Sequence, residues 1–384
     1  QTDPLDRLPF TTRAEIQQDQ VDHPPYGTNL TYPLDRYNRL HQTSGSSSRV
    51  PLRWLDTPEA WDWWRRCWAI LWRGAGLRAQ DRIIVPFSFG PFVGWWGAYD
   101  SAVAMGNFTL PAGGMTTVAR LYYLLDHKIT FVCCTPTYAL RMAEVSAEQG
   151  LDIKSSAVRG LIVAGEPGGN IPGTRSRIES VWGARVFDHG GLTEIGPWGF
   201  ECVETPGGQH VIESEFIIEV IDPRTGDAVP EGRPGEMVLT NLGRPGSPLI
   251  RYRTGDQVVM IRRRCACGRW FAWLDGGILG RIDDMLVIRG NNVFPSAVED
   301  IVRRFHEVAE FALRADHGAT LARLEIDLEP LPGANVDGLA ERVAGTIRDR
   351  LHFRPVVRLV EAGSLPRFEG KGRRFVRGPG GPTD

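Results

Sequence analysis

The sequence is short of several things, and each shortage closes off a class of protein. It has no excess of either charge: 44 lysines and arginines stand against 46 aspartates and glutamates, for a net charge of -2. Nucleic acid or an anionic membrane finds no global attraction in such a chain, so any polyanion has to be gripped locally. Apolar runs are short, and the stretch 131–134 falls far below the roughly 18 apolar residues of a membrane helix. Cysteines number 6, and they cluster, with Cys133 beside Cys134 and Cys265 close to Cys267. That distribution is unlike the spread framework of a disulfide-stapled secreted domain; reduced thiols or a metal site fit better. Residues 1–9 are polar and charged and carry no apolar secretory segment, which gives the expectation of a cytoplasmic protein with no nucleic-acid or membrane partner. There is no internal repeat.

What is present is length and pattern. A chain of 384 residues exceeds one compact unit, so two or three are expected. A tryptophan-rich segment, 54–72, reads as a buried or half-buried helix starting near Thr57-Pro58-Glu59, a cap followed by proline and an acid. From there to about 200, strand-like runs (82–86, 130–134, 160–164) alternate with helical patterns (115–126, 138–149, 173–182). This alternation implies βαβ units and a largely parallel sheet. Between 211 and 261 short strands are separated by Gly and Pro turns such as Arg233-Pro234-Gly235, which implies an antiparallel sheet or distorted barrel. Beyond Gly280-Arg281 come a strand, a helix (295–305), two strands (309–314, 324–328), a helix (336–351) and a strand (356–360). The expected fold class is therefore α/β: an amino-terminal part, 1–280, of βαβ-type sheets with an antiparallel, barrel-like subdomain at 203–275, and a small α+β domain, 281–384.

Several segments hold residues suited to a nucleotide. The run His41-Gln42-Thr43-Ser44-Gly45-Ser46-Ser47-Ser48-Arg49 can wrap hydroxyls and N–H groups around phosphate oxygens, although a flexible serine-rich linker reads the same. Phe187-Asp188-His189-Gly190-Gly191-Leu192-Thr193-Glu194 puts a hydroxyl beside a carboxylate on a glycine turn; it suits a phosphate with its Mg²⁺, which takes hard oxygen ligands, or is a surface turn. In Ile250-Arg251-Tyr252-Arg253-Thr254-Gly255-Asp256 the final carboxylate can accept from both hydroxyls of a ribose, or close a salt-bridged hairpin. Leu279-Gly280-Arg281-Ile282-Asp283-Asp284 sits at the domain boundary, where a hinge or a solvated linker belongs. Leu365-Pro366-Arg367-Phe368-Glu369-Gly370-Lys371-Gly372 reads alone as a basic tail. Elsewhere Cys202, His210, Cys265 and Cys267 offer three thiolates and an imidazole suited to tetrahedral Zn²⁺, with buried reduced cysteines as the alternative.

The order of these segments, with Gly113-Gly114-Met115, Cys133-Cys134-Thr135-Pro136-Thr137-Tyr138, Gly165-Glu166-Pro167-Gly168-Gly169 and Gly290-Asn291-Asn292-Val293-Phe294-Pro295, resembles the adenylate-forming superfamily, specifically its phenylacetate-coenzyme A ligase branch. The resemblance covers residues 8–377. It implies ATP-dependent activation of a carboxylic acid, aryl or arylacetic, to an acyl adenylate, followed by transfer to coenzyme A. An amine or carrier-protein thiol is the alternative acceptor, and a degenerate binding protein without turnover the alternative from another class. ATP, Mg²⁺, coenzyme A and a homodimer are likewise implied.

By the same resemblance Lys371 bridges the acid and the α-phosphate, Thr193 holds phosphate oxygen, and Glu194 holds Mg²⁺. Thr43, Ser44, Gly45, Ser46 and Ser47 form the phosphate loop; Gly165, Glu166 and Pro167 flank adenine, and Asp188 joins the nucleotide site. Asp256 and Arg281 take the ribose, Asp283 is the hinge that makes the small domain mobile, and Phe89, Phe92, Trp96 and Gly191 line the acyl pocket. Two departures stand out. Ser48 replaces the second glycine of the phosphate loop, with Val50 in place of the basic residue before Pro51, and Gly190 replaces a tyrosine that stacks on adenine.

Overall fold

Residues 5–43, 51–288, 291–316 and 323–377 are described in the computed structural model of the chain. Strands Arg82–Val85, Phe108–Pro111, Phe131–Cys134 and Gly160–Val163 run parallel. Phe131–Cys134 and Gly160–Val163 are buried along their whole length, as strands covered on both faces by crossover helices must be. The helices start where the sequence supplies caps: Thr116 and Thr135 accept from Ala119 N and Tyr138 N, and Pro136 occupies the first turn.

The tryptophan helix, Pro58–Gly74, is capped by Thr57. Trp61, Trp64, Trp68 and Trp72 recur at helical spacing and are buried against the sheet. Trp54 lies outside it, in the strand Arg53–Asp56, because Pro58 is tolerated only in a helix's first turn and forces the start there.

Strand Arg185–Leu192 serves two neighbours. Its first half, 185–188, pairs in parallel with Gly160–Val163, and its second half pairs antiparallel with Gly196–Phe200 across a bulge between Gly190 and Leu192. From that strand the order continues through Gly208–Val211, Trp273–Asp275, Tyr252–Ile261 and Pro234–Asn241 to Phe216–Ile221. Of the two forms expected, antiparallel sheet or distorted barrel, the structure has the sheet: among the described residues the antiparallel strands form no closed barrel but extend the parallel ones into a 12-stranded sheet. Gly and Pro turns specify antiparallel neighbours, whereas closure would need the end strand Phe216–Ile221 to find a second partner, and it pairs with Pro234–Asn241.

Strand Gly280–Arg281 lies against Asp256 and Gln257. The turn Ile282–Asp284 follows, then a short hairpin, Leu286–Ile288 with Asn291–Val293. Beyond it helices Pro295–Arg303 and Leu339–Leu351 pack on a four-stranded sheet around their own core, including Val298, Phe311, Ile326 and Val343. Among the described residues no helix is long and apolar enough to cross a membrane.

Candidate nucleotide and acyl site

Thr193 and Glu194 leave the strand just past its bulge, and a buried ion pair fixes them. Arg244 donates Nε and Nη2 to the two oxygens of Asp56, each at 2.7 Å, with neither side chain exposed. Its Nη1 donates to the carbonyls of Thr193 at 2.7 Å and Glu194 at 2.9 Å. Burial pushes the Asp56 carboxyl up, but the guanidinium outweighs it and holds the group below the usual carboxylate range. Glu194, itself buried, accepts from Tyr252 Oη at 2.7 Å and Arg13 Nη1 at 3.3 Å. Both bonds go to Oε1, so among the described residues Oε2 is the oxygen a hard cation such as Mg²⁺ would take. Arg13 Nη2 also donates to Thr43 Oγ1 at 3.2 Å. Thr43 closes the base of the hydroxyl-rich loop, donating N–H to Leu52 O at 2.9 Å and accepting from Leu52 N at 3.0 Å. Ser44, Gly45, Ser46 and Ser47 lie outside the described residues, as do Ser48 and Val50.

Strand register sets Asp256 opposite Arg281. Arg281 Nη1 donates to Asp256 Oδ1 at 3.3 Å and Thr254 O at 2.7 Å, and its Nε donates to Asp283 Oδ1 at 3.1 Å. Burial pushes Asp256 up to about 6, with the Arg281 charge limiting the rise. Arg13, Glu194, Tyr252, Arg281 and Asp283 line one cavity of about 790 Å³.

The segment holding Lys371 is no free tail. Thr117 Oγ1 donates to Glu369 Oε1 at 2.9 Å, Thr135 Oγ1 to Gly370 O at 2.8 Å, and Arg374 Nη1 to Thr137 Oγ1 at 2.7 Å. Glu166 sits at the centre, accepting from Thr137 N at 2.8 Å and from Gly372 N at 2.5 Å. Its carboxylate is thus spent on docking this segment, while Pro167 is exposed. Lys371 Cε lies 3.2 Å from where a Cβ on Gly165 would stand, and Gly165 has φ +93°, a left-handed backbone that favours glycine. The atoms crowded around the Lys371 ammonium lower it, although the residue keeps exposed surface, against the opposing pull of Glu166 and Glu194. Asp188 is enclosed beneath, accepting from Asn170 Nδ2 at 2.5 Å and from Gln209, and burial pushes it up to about 7.

The residues expected to line an acyl pocket include an aromatic cluster. Phe89, at a strained φ of 49°, sets its ring 4.9 Å from Trp96 and 5.5 Å from Tyr99. Gln42 N donates to Pro91 O at 2.7 Å, tying the cluster to the strand that leads into the phosphate loop. Phe92 is half-buried and Gly191 is exposed. His189 packs 4.4 Å from Trp68, and its Nδ1 donates to Gly199 O at 2.7 Å, which leaves Nε2 facing Gly191. Burial pulls this imidazole down to about 4, so it is neutral. At Gly190 any Cβ would overlap the buried indole of Trp198, which accounts for the missing tyrosine.

Arg13, Arg244, Tyr252, His189 and Trp198 are site residues that the sequence reading did not single out. Arg13 is 181 positions from Glu194, and no local signal links the two.

Further away, Cys202, His210, Cys265 and Cys267 bring their ligand atoms within 4.8 Å of one another. Cys202 Sγ lies 3.7 Å from Cys265 Sγ, and Cys267 Sγ 3.5 Å from His210 Nε2. A tetrahedral zinc with Zn–S of about 2.3 Å and Zn–N of about 2.0 Å sets these separations at about 3.8 and about 3.5 Å, so the donor set fits the ion.

The sequence matches the AMP-binding enzyme family over residues 61–243 and the AMP-binding enzyme C-terminal domain over residues 290–377. The phenylacetate-coenzyme A ligase of Thermus thermophilus is 30% identical over 97% of this chain and 86% of its own length. The Pseudomonas putida enzyme of the same name is 31% identical, over 96% and 83%. Among solved structures, 2-hydroxyisobutyryl-CoA ligase in the postadenylation state, in complex with R3-HIB-AMP, superposes with a TM-score of 0.91 at 27% identity, covering 97% of this chain and 80% of that one. The same ligase in its thioesterification state, with 2-HIB-AMP and CoA, gives 0.71 at 28% identity over the same shares.

Proposed function

Because the chain belongs to the phenylacetate-coenzyme A ligase family of AMP-binding enzymes, we propose that it activates an aryl or arylacetic acid with ATP and passes the acyl group to coenzyme A. The observation that carries this reading is the docking of the Lys371 segment over Gly165 and Glu166, close enough for the lysine to feel the charge of Glu194.

In the first half-reaction a carboxylate oxygen attacks the α-phosphorus and pyrophosphate leaves. Two anions must meet, so stabilisation has to come from placed cations and donors. Lys371 sits where it would touch both reactants, and Thr193 would donate to phosphate oxygen. Mg²⁺, held through Glu194, would supply charge neutralisation at the triphosphate. Asp256 and Arg281 would fix the ribose, and the Phe89 and Trp96 rings would offer a flat apolar wall to a flat acid. Gly191, beside the Nε2 of His189, would let a substrate approach the backbone closely.

In the second half-reaction the coenzyme A thiol attacks the acyl carbonyl and AMP leaves. The domain from 281 onward would turn about Asp283, undocking Lys371. Polar contacts at Thr117, Thr135, Thr137 and Glu166, with the ion pair of Arg367 and Glu144, hold the segment down, which suits a reversible seat. The higher TM-score to the postadenylation state supports reading the present arrangement as the adenylating one. Zinc on the four cysteine and histidine ligands would be structural, tying the loop of Cys265 and Cys267 to the strand of His210.

The test is acid-dependent exchange of labelled pyrophosphate into ATP across benzoates, phenylacetates, heteroaromatic and aliphatic acids, followed by an acceptor screen. Exchange with aromatic acids and AMP release on adding coenzyme A are expected. ATP binding without exchange for any acid would leave only a binding protein.

A further inference from the structure

Arg13 opens the helix Arg13–Asp22, whose start is fixed by a capping box between Thr12 and Glu15. Its guanidinium spans the two parts that triphosphate chemistry must combine. Nη2 reaches the Thr43 hydroxyl at the base of the phosphate loop at 3.2 Å, and Nη1 reaches Glu194 Oε1 at 3.3 Å. Pairing with the buried Glu194 explains only part of the placement: Tyr252 already gives the same Glu194 oxygen a donor at 2.7 Å, and the Arg13 side chain stays 28% exposed against 4% for Glu194, so the guanidinium keeps a face open to the cavity. A guanidinium is a planar fork with further N–H donors and a permanent charge, matched to phosphate oxygens, and Arg13 lines the cavity shared with Arg281.

We propose that Arg13 binds the β- and γ-phosphates of ATP, and hence the pyrophosphate leaving group, as a positively charged clasp between the loop base and the metal-holding carboxylate. The assignment rests on the nucleotide reading above and adds to it a residue from outside every motif.

The test is calorimetric titration without acid substrate, so that no turnover occurs, using MgATP, AMP and magnesium pyrophosphate. Arg13→Gln should weaken MgATP and pyrophosphate at least tenfold, about 1.4 kcal/mol, while AMP, which lacks the outer phosphates, stays within about twofold. Arg13→Lys, keeping charge but losing the fork, should recover part of the loss. Equal losses for AMP and MgATP in both variants would mean a structural role, and no loss for either nucleotide would mean none; both results overturn the assignment. A native protein unable to bind MgATP would instead sink the nucleotide reading on which the assignment rests.

Discussion

The two sides of the crevice are built in opposite ways. On the sheet side Thr193 and Glu194 hang from Arg244, which is sealed with Asp56 away from solvent. On the other side Lys371 arrives on a glycine-flanked segment seated by a few part-buried hydrogen bonds. A buried, fully paired charge is costly to disturb and holds position; a partly wetted polar seat exchanges readily with water. One side is therefore a fixed template, and the other a group that can be presented and withdrawn.

The comparison can be broken at its strong end first. Arg244→Met leaves the Asp56 carboxylate buried without its cation, and chemical denaturation should show a loss of about 3–5 kcal/mol; a loss under about 1 kcal/mol would mean that the template is not held by this pair. Lys371→Ala should lower pyrophosphate exchange by about 10²–10³-fold, leave the denaturation midpoint unchanged, and spare thioester formation from preformed adenylate. Equal loss of both half-reactions would contradict a lysine used only in the first. Glu166→Ala removes the acceptor for Gly372 N and should slow exchange by about tenfold, the scale of a hydrogen bond to a charged group, without slowing the thioester step. Finally, Asp256 is protonated below about 6 and then loses acceptor capacity for ribose. Affinity for ATP should rise with pH up to that value and level off above it; Asp256→Asn should be weak and flat, and a native profile that is flat from pH 5 to 8 would show that this carboxylate does not titrate there.

Much of this arrangement was readable because it is imposed by the backbone. Gly165 enters through the resemblance, and its φ of +93° shows why glycine stands there, while the cap at Thr57 marks its helix because N–H groups at a helix start need an acceptor. Side chains that come in from distant segments leave no such trace. Arg13, Arg244, His189 and Trp198 act through tertiary contacts that no periodicity encodes. The choice between sheet and barrel stays open in the sequence for a related reason: turn residues report that two strands are neighbours, not which strand lies at the end of the sheet. Trp54 precedes the start that Thr57-Pro58-Glu59 sets for the helix and stands in a strand, because tryptophan fits strand and helix alike and Pro58 fixes the boundary.

The strand Arg185–Leu192, parallel to one neighbour and antiparallel to the next, makes folding and chemistry separable along a single stretch of chain. Deleting one residue at Gly191 would leave residues 185–188 in register and the apolar interior closed, yet would turn the hydroxyl and carboxylate that follow toward the opposite face. Such a deletion should yield a cooperatively folded but inert protein, which makes this bend a place where catalysis could be lost in evolution while the architecture survived.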